Sequence, residues 1–197
     1  MTFFQAPGRM NIFDEHPFKV ILDYAHNPAA VKAMFNLVSQ MEVEARRIVV
    51  LAAPGDRRDQ DIEKIGTLAA GHFDYYLCKA DDHRRGRGED EVPKMIRKAL
   101  LDNGVDDKII KVIPDEQTCI HHTLNMAQPG DLVLILGDEI TRCWKQITKY
   151  NSDGAEKPTI KKQKGAVPPQ VEDFILDKSI DIVRDERGVR LAREKGD

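Results

Sequence analysis

The sequence predicts an α/β fold in which an open, mostly parallel sheet carries helices on both faces. Two observations predict it. Short apolar runs rich in β-forming residues recur five times, with helix-like stretches between them. These runs are continuous rather than alternating, the pattern of strands covered on both faces. Together they describe a Rossmann-like alternation of strand and helix.

Taken in order, FKVILDY (18–24) is the first core strand, and MNIFDEHPFKV before it can turn back around Glu15 to Pro17 and add an edge strand. Asn27 and Pro28 open a helix over 28–41, since proline is tolerated in a first helical turn. RIVVLAA (47–53) leads to a helix over 60–72, and FDYYLCKA (73–80) to one over 90–103 that the glycine of DNGVDD stops. KIIKVI (108–113) precedes a helix over 115–127 opened by Pro114 and Asp115, and DLVLILG (131–137) precedes one over 139–149. The α/β domain therefore spans 1–150. NSDGAEKPTIKKQKGAVPPQ (151–170) reads as a linker, and 171–197 as a short extension in which Ile180–Arg184 and Val189–Ala192 can pair as a hairpin.

With 197 residues and 41% hydrophobic content the chain can bury one sizeable core. Its 30 basic and 33 acidic residues nearly balance, so no bulk field drives it onto nucleic acid or membrane. Cys78, Cys119 and Cys143 are odd in number and lack CxxC spacing, which argues against a disulfide framework or structural zinc and points to a reducing cytoplasm. No secretory signal and no run of ~18 apolar residues is present. An oligomer is compatible with all of this.

Polar clusters follow at least four of the strands. Beyond the carboxyl ends of a parallel sheet, loops carry polar groups and helix N-termini present N–H donors, so ligands collect there. Asp23 can offer a carboxylate to hydroxyls or a cation, and His26 can donate to phosphate or base; Asn27 can equally be a helix cap. In APGDRRDQDI, Arg57 and Arg58 supply forked donors among Asp56, Asp59 and Asp61. The alternative is a solvated loop whose acids favour the next helix N-terminus. No metal geometry is fixed by these acids. In KADDHRRGRGEDE (79–91), Arg84, Arg85 and Arg87 lack interleaved aromatics, and Asp81, Asp82, Glu89, Asp90 and Glu91 offset their charge, against nucleic acid. Gly137, Asp138 and Glu139 close the last strand, where capping accounts for Asp138.

APGRMN followed by DYAHNPAA resembles the entry into the C-terminal domain of the Mur ligase family, and APGDRRDQDI with KADDHRRGRGED resembles its cyanophycin-synthetase branch, over roughly residues 6–150. The resemblance implies an ATP-dependent amide ligase: a carboxylate is activated as an acyl phosphate and an amine displaces phosphate. In that branch arginine joins aspartate side chains of a poly-aspartate chain. By the same resemblance Arg9, Asp23, His26 and Asn27 lie on the nucleotide side. Chemistry then suggests Asp81 and Asp82 for a guanidinium, and Arg57, Arg58, Arg84 and Arg85 for polymer carboxylates. The family's central domain carries a phosphate loop, yet nothing in these residues fits GxxxxGK[ST]. ATP use and Mg2+ binding are therefore expected to depend on a partner domain, with the chain inactive alone. MTFFQAPGRMN starts close to the expected domain boundary, as either a piece of a longer synthetase or a stand-alone remnant would. Another Mur-family or folylpolyglutamate-type ligase, or a non-catalytic nucleotide- or peptide-binding module, is the alternative.

Overall fold

In the computed structural model, residues 8–150, 180–185 and 188–193 are described. The chain divides into two units, 1–159 and 160–197. In the first, β1 (Asn11–Phe13), β2 (Lys19–Asp23), α1 (Pro28–Gln40), β3 (Arg47–Leu51), α2 (Asp59–Ala69), β4 (Tyr75–Cys78), α3 (Glu91–Asp102), β5 (Ile110–Val112), α4 (Glu116–Met126), β6 (Leu132–Leu136) and α5 (Ile140–Lys149) follow one another. The predicted open, mostly parallel sheet with helices on both faces is the observed one.

The sheet order is β1-β2-β6-β3-β4-β5, with β1 antiparallel to β2 and every other pairing parallel. The last strand returns to the middle, where Leu134 is in register with both Ile21 and Val49. Every residue of β6 is buried, which explains its unbroken apolar sequence LVLIL.

Alternate strand residues face opposite layers. Ile21, Val49, Tyr76 and Leu134 pack with Phe35 of α1, Ile65 of α2 and Ile96 of α3. Leu22, Val50, Leu77 and Ile135 pack on the other side with Ile120 and Leu124 of α4 and Ile147 of α5. Gly66 sets the fit of α2 on α3, because a Cβ there would stand 2.7 Å from the Ile96 carbonyl oxygen and 2.8 Å from the Ala99 Cβ. At the amino ends of the strands, fully buried Asp131 takes Arg46 Nη2 at 2.6 Å and accepts the Arg46 and Gln128 N–H groups, tying β3 to β6.

β5 is shorter than its sequence suggested. Asp106 accepts the Lys108 N–H at 2.9 Å, and this local bond turns Asp107–Ile109 into a 3₁₀ turn instead of strand. Cys78, Cys119 and Cys143 are free thiols, all buried. No helix of the described residues is long and apolar enough to cross a membrane.

In the second unit, β7 (Ile180–Asp185) and β8 (Gly188–Arg193) form an antiparallel pair, Ile180 opposite Arg193 and Asp185 opposite Gly188. The linker expected at 151–170 lies outside the described residues, as does the start of the extension, 171–179.

Candidate functional site

The carboxyl ends of β2, β6, β3, β4 and β5 line up along one edge, since these five strands are mutually parallel. β2, β3, β4 and β5 progress in one direction across the sheet and the chain then turns back to place β6 between β2 and β3; such a reversal of order is where open α/β sheets form their ligand crevice.

On the β2 side, an Asp23 carboxylate oxygen accepts the Met10 N–H at 2.8 Å, and the Gly8 carbonyl accepts the Tyr24 N–H at 2.9 Å. Those bonds hold Met10 at φ +44°, a left-handed conformation rare for a side chain of its kind, and pin the segment bearing exposed Arg9 across the end of β2. His26 Nδ1 lies 3.0 Å from the Tyr24 carbonyl, with its ring 5.1 Å from the Tyr24 ring. Asn27 Oδ1 accepts the Ala30 N–H at 3.0 Å, so this side chain caps α1.

The loops after β3 and β4 lie against one another. A Cβ on Gly55 would stand 2.1 Å from the Arg84 carbonyl oxygen, so no side chain fits there. Arg87 clasps the two loops: Nε donates to the Gly55 carbonyl at 2.7 Å, Nη2 to the Arg57 carbonyl at 2.9 Å and to Asp59 at 2.7 Å, and Nη1 to Glu91 at 2.7 Å. Arg85 pairs with Asp56 at 2.7 Å and Arg58 with Asp61 at 3.0 Å. Arg84 comes within 3.7 Å of Glu89, and Arg57 Nε is buried without a hydrogen-bond partner.

Between β4, α4 and α5 runs an ionic chain that the sequence did not reveal. Lys79, just past β4, has a wholly buried side chain whose Nζ lies 2.8 Å from Glu116 Oε1, itself wholly buried, and 3.5 Å from Asp81. Glu116 accepts the Asp138 N–H at 2.8 Å and Arg142 Nη2 at 2.6 Å, and Arg142 Nη1 donates to Asp82 at 2.5 Å. Burial works to raise the Glu116 pKa, but the Lys79 ammonium and the hydrogen bonds from Lys79, Asp138 and Arg142 hold it down at about 2. Burial works to lower that of Lys79, and Glu116 and Asp81 reverse it, leaving it raised. Burial pushes Asp81 above the usual carboxylate range, with Lys79 opposing and Asp138 reinforcing the rise.

Capping does not account for the Asp138 side chain. Its Oδ2 accepts the Asp82 N–H at 3.1 Å, and the cap residue of α5 is Glu139, without a side-chain cap bond. A β-strand parity argument locates Lys79: Leu77 faces the α4–α5 layer and Cys78 the other, so the next side chain returns toward α4. The one sequence signal for it was a lysine directly after the apolar run YYLC.

A cavity of about 340 Å³ opens beside this chain. Asp81, Asp82, Glu89 and Asp115 bring carboxylates to it, and Arg84 and Arg142 bring guanidinium groups. The structure thus gathers Asp81, Asp82 and Arg84, while directing Arg58 to Asp61 in the first turn of α2 and Arg85 to Asp56 of the neighbouring loop. No cluster of three or more metal-ligating side chains occurs among the described residues.

A mostly parallel α/β sheet with helices on both faces and charged loops gathered at the carboxyl ends of its strands places the domain in the Rossmann-like class. Residues 8–138 match the model of the Mur ligase, glutamate ligase domain, and the chain belongs to that family. It is 36% identical over 147 residues to cyanophycin synthetase from Geminocystis herdmanii and 38% identical over 143 residues to that from a Nostoc species, covering 75% and 73% of this chain. A diaminopimelate-adding ligase of Aquifex aeolicus, UDP-N-acetylmuramoyl-L-alanyl-D-glutamate–2,6-diaminopimelate ligase, is 32% identical over 67% of the chain. The matched region spans only 16% of either cyanophycin synthetase and 26% of the Aquifex enzyme. Among solved structures, a ligase of the last type and Escherichia coli FolC in complex with ADP share the fold, each with a TM-score of 0.55 and 22% identity. They are covered to 32% and 31% of their lengths, and cover 74% and 72% of this chain.

Proposed function

We propose that the chain forms the carboxyl-terminal wall of an ATP-dependent amide ligase of the cyanophycin synthetase type, joining the α-amine of arginine to aspartate side chains of a poly-aspartate chain. The observation that carries this reading is the 340 Å³ cavity lined by both acids and guanidinium groups. Arginine brings a guanidinium and a carboxylate. Asp81 and Asp82 suit the first, because a guanidinium needs carboxylate oxygens in its plane, and Arg84 suits the second. Identities of 36–38% to cyanophycin synthetases, against 32% to the Aquifex ligase, support this branch.

ATP supplies the phosphoryl group that activates the aspartate carboxylate. The residues at the β2 end fit its nucleoside end: partly exposed Asp23 can accept from ribose hydroxyls, with His26 and exposed Arg9 beside it. Asn27 reaches the nucleotide through the helix end that it caps. Phosphate and magnesium binding belong in this reading to a phosphate-loop domain, since these residues contain no GxxxxGK[ST]. The chain's part is to hold arginine in line for attack and to exclude water.

The test is phosphate release from ATP with arginine and poly-aspartate, using this chain, a separately supplied phosphate-loop domain of a cyanophycin synthetase, or both. Release is expected only with both pieces and arginine. Turnover by the chain alone, or preference for diaminopimelate or glutamate over arginine, would overturn the reading.

A further inference from the structure

We infer that the groove between α4 and α5 is a binding site for an extended, aspartate-rich polypeptide strand. The inference rests on the ligase reading above and adds the place where the acidic substrate lies.

The groove measures about 760 Å³ and is separate from the 340 Å³ cavity, yet Arg142 lines both. Its rim carries Lys145 and Lys149 against the single acid Glu139, an excess of positive charge on a chain whose net charge is −3, while the charge of Arg142, which also lines it, is already met by Asp82 and Glu116. Of Arg57, Arg58, Arg84 and Arg85, the residues whose chemistry suggested polymer carboxylates, Arg58 and Arg85 are already paired with acids of this domain. Lys145 and Lys149 are exposed and make no ion pair among the described residues.

Spacing favours a polypeptide in extended form. Lys145 and Lys149 stand one helical turn apart, a rise of about 6 Å, and alternate side chains of an extended strand repeat about every 6.6–7 Å on one side. Two carboxylates of such a strand therefore meet the two ammonium groups. From Thr141 to Lys149 the wall runs about 12 Å, room for roughly four residues. Across the groove, Gln117 and Asn125 present side-chain amides, the groups that pair with peptide N–H and C=O. Tyr150 OH donates to Asn125 Oδ1 at 3.1 Å, which leaves the Asn125 amide nitrogen to donate to a strand carbonyl. At its other end the groove meets Arg142 and so leads toward the cavity assigned to arginine.

The experiment titrates a fluorescent deca-aspartate with the full chain and follows anisotropy. Binding that weakens with salt is expected. Lys145→Glu together with Lys149→Glu is expected to weaken it by on the order of tenfold or more. Lys94→Glu with Lys98→Glu on α3, an identical charge change, is expected to stay within about twofold. Unchanged circular dichroism of both double variants shows that they fold. No binding by the native chain at low salt, equal losses in both variants, or equally tight binding of a deca-thymidylate would each overturn the groove assignment. Binding lost only in the groove variant, in a chain whose ligation assay rejects arginine, would keep the groove and remove the arginine reading.

Discussion

The two faces of the sheet are held by different forces. On the α1–α2–α3 face contact is apolar and close, to the point that Gly66 has no room for a methyl group. On the α4–α5 face a wholly buried Lys79–Glu116 pair and Arg142 replace part of the apolar contact, and a 760 Å³ groove separates the helices. The second face reaches the loops beside the cavity through Glu116 to the Asp138 N–H and through Arg142 to Asp82, whereas the first face meets the loops after β3 and β4 through Arg87, bonded to the first residues of α2 and α3. Apolar packing is nondirectional and fixes helices well enough. Setting a loop to within a fraction of an ångström needs directional, charge-assisted bonds.

The strongest way to break this contrast is Glu116→Ala. Leaving the Lys79 ammonium buried without its partner is expected to cost about 3–5 kcal/mol, read as a shift in the urea midpoint. Replacing both ions, as in Lys79→Met with Glu116→Leu, should recover most of that loss while still detaching the Asp138 N–H. If single and double variants lose equal stability, the pair is not what holds this face.

Acid should loosen the same face selectively. The Glu116 carboxyl, lowered from an ordinary 4.5 to about 2, contributes stability that is complete above 4.5 and disappears as the pH falls through about 2. About 3 kcal/mol is expected to be lost across that interval, and Glu116→Gln should flatten the portion of the acid limb due to this group. Lys79 is raised, so its contribution is complete below 10.5 and is lost only as the pH climbs through its higher folded value. An unchanged acid limb in Glu116→Gln would count against the coupling.

On the apolar face, Gly66→Ala is expected to destabilise by about 1–3 kcal/mol through overpacking against Ile96 and Ala99, despite alanine's better helix propensity. A more stable protein would mean that α2 and α3 can separate freely. The smallest effect is expected at the edge of the α1 layer, where Asn27→Ala removes the cap on the Ala30 N–H and costs about 1 kcal/mol in thermal unfolding. A larger loss would mean that Asn27 does more than cap.

The strands and helices were legible because their signals are local. A run such as LVLIL is buried on both sides and contains nothing polar to disguise it, and Pro114 with Asp115 marks a helix start that the Asp115 bond to the Thr118 N–H then makes. The candidate site was legible only in part. Asp81, Asp82 and Arg84 could be placed after β4 from sequence, but Lys79, Glu116 and Arg142 could not be joined. They lie 37 and 26 positions apart along the chain, and no spacing rule links a strand end to the first turns of two helices.

Sequence by itself determined the class of fold, the edge of the sheet where polar loops gather, and the family, through motifs that are short and contiguous. Tertiary structure alone decided which charges are spent inside the domain and which remain for a ligand. Arg58, Arg85 and Arg87 look alike in the sequence; folding gives the first two one acid each and makes the third a clasp between loops. Pairing of charges depends on distance through space and on burial, and neither quantity is carried by neighbouring positions along a chain.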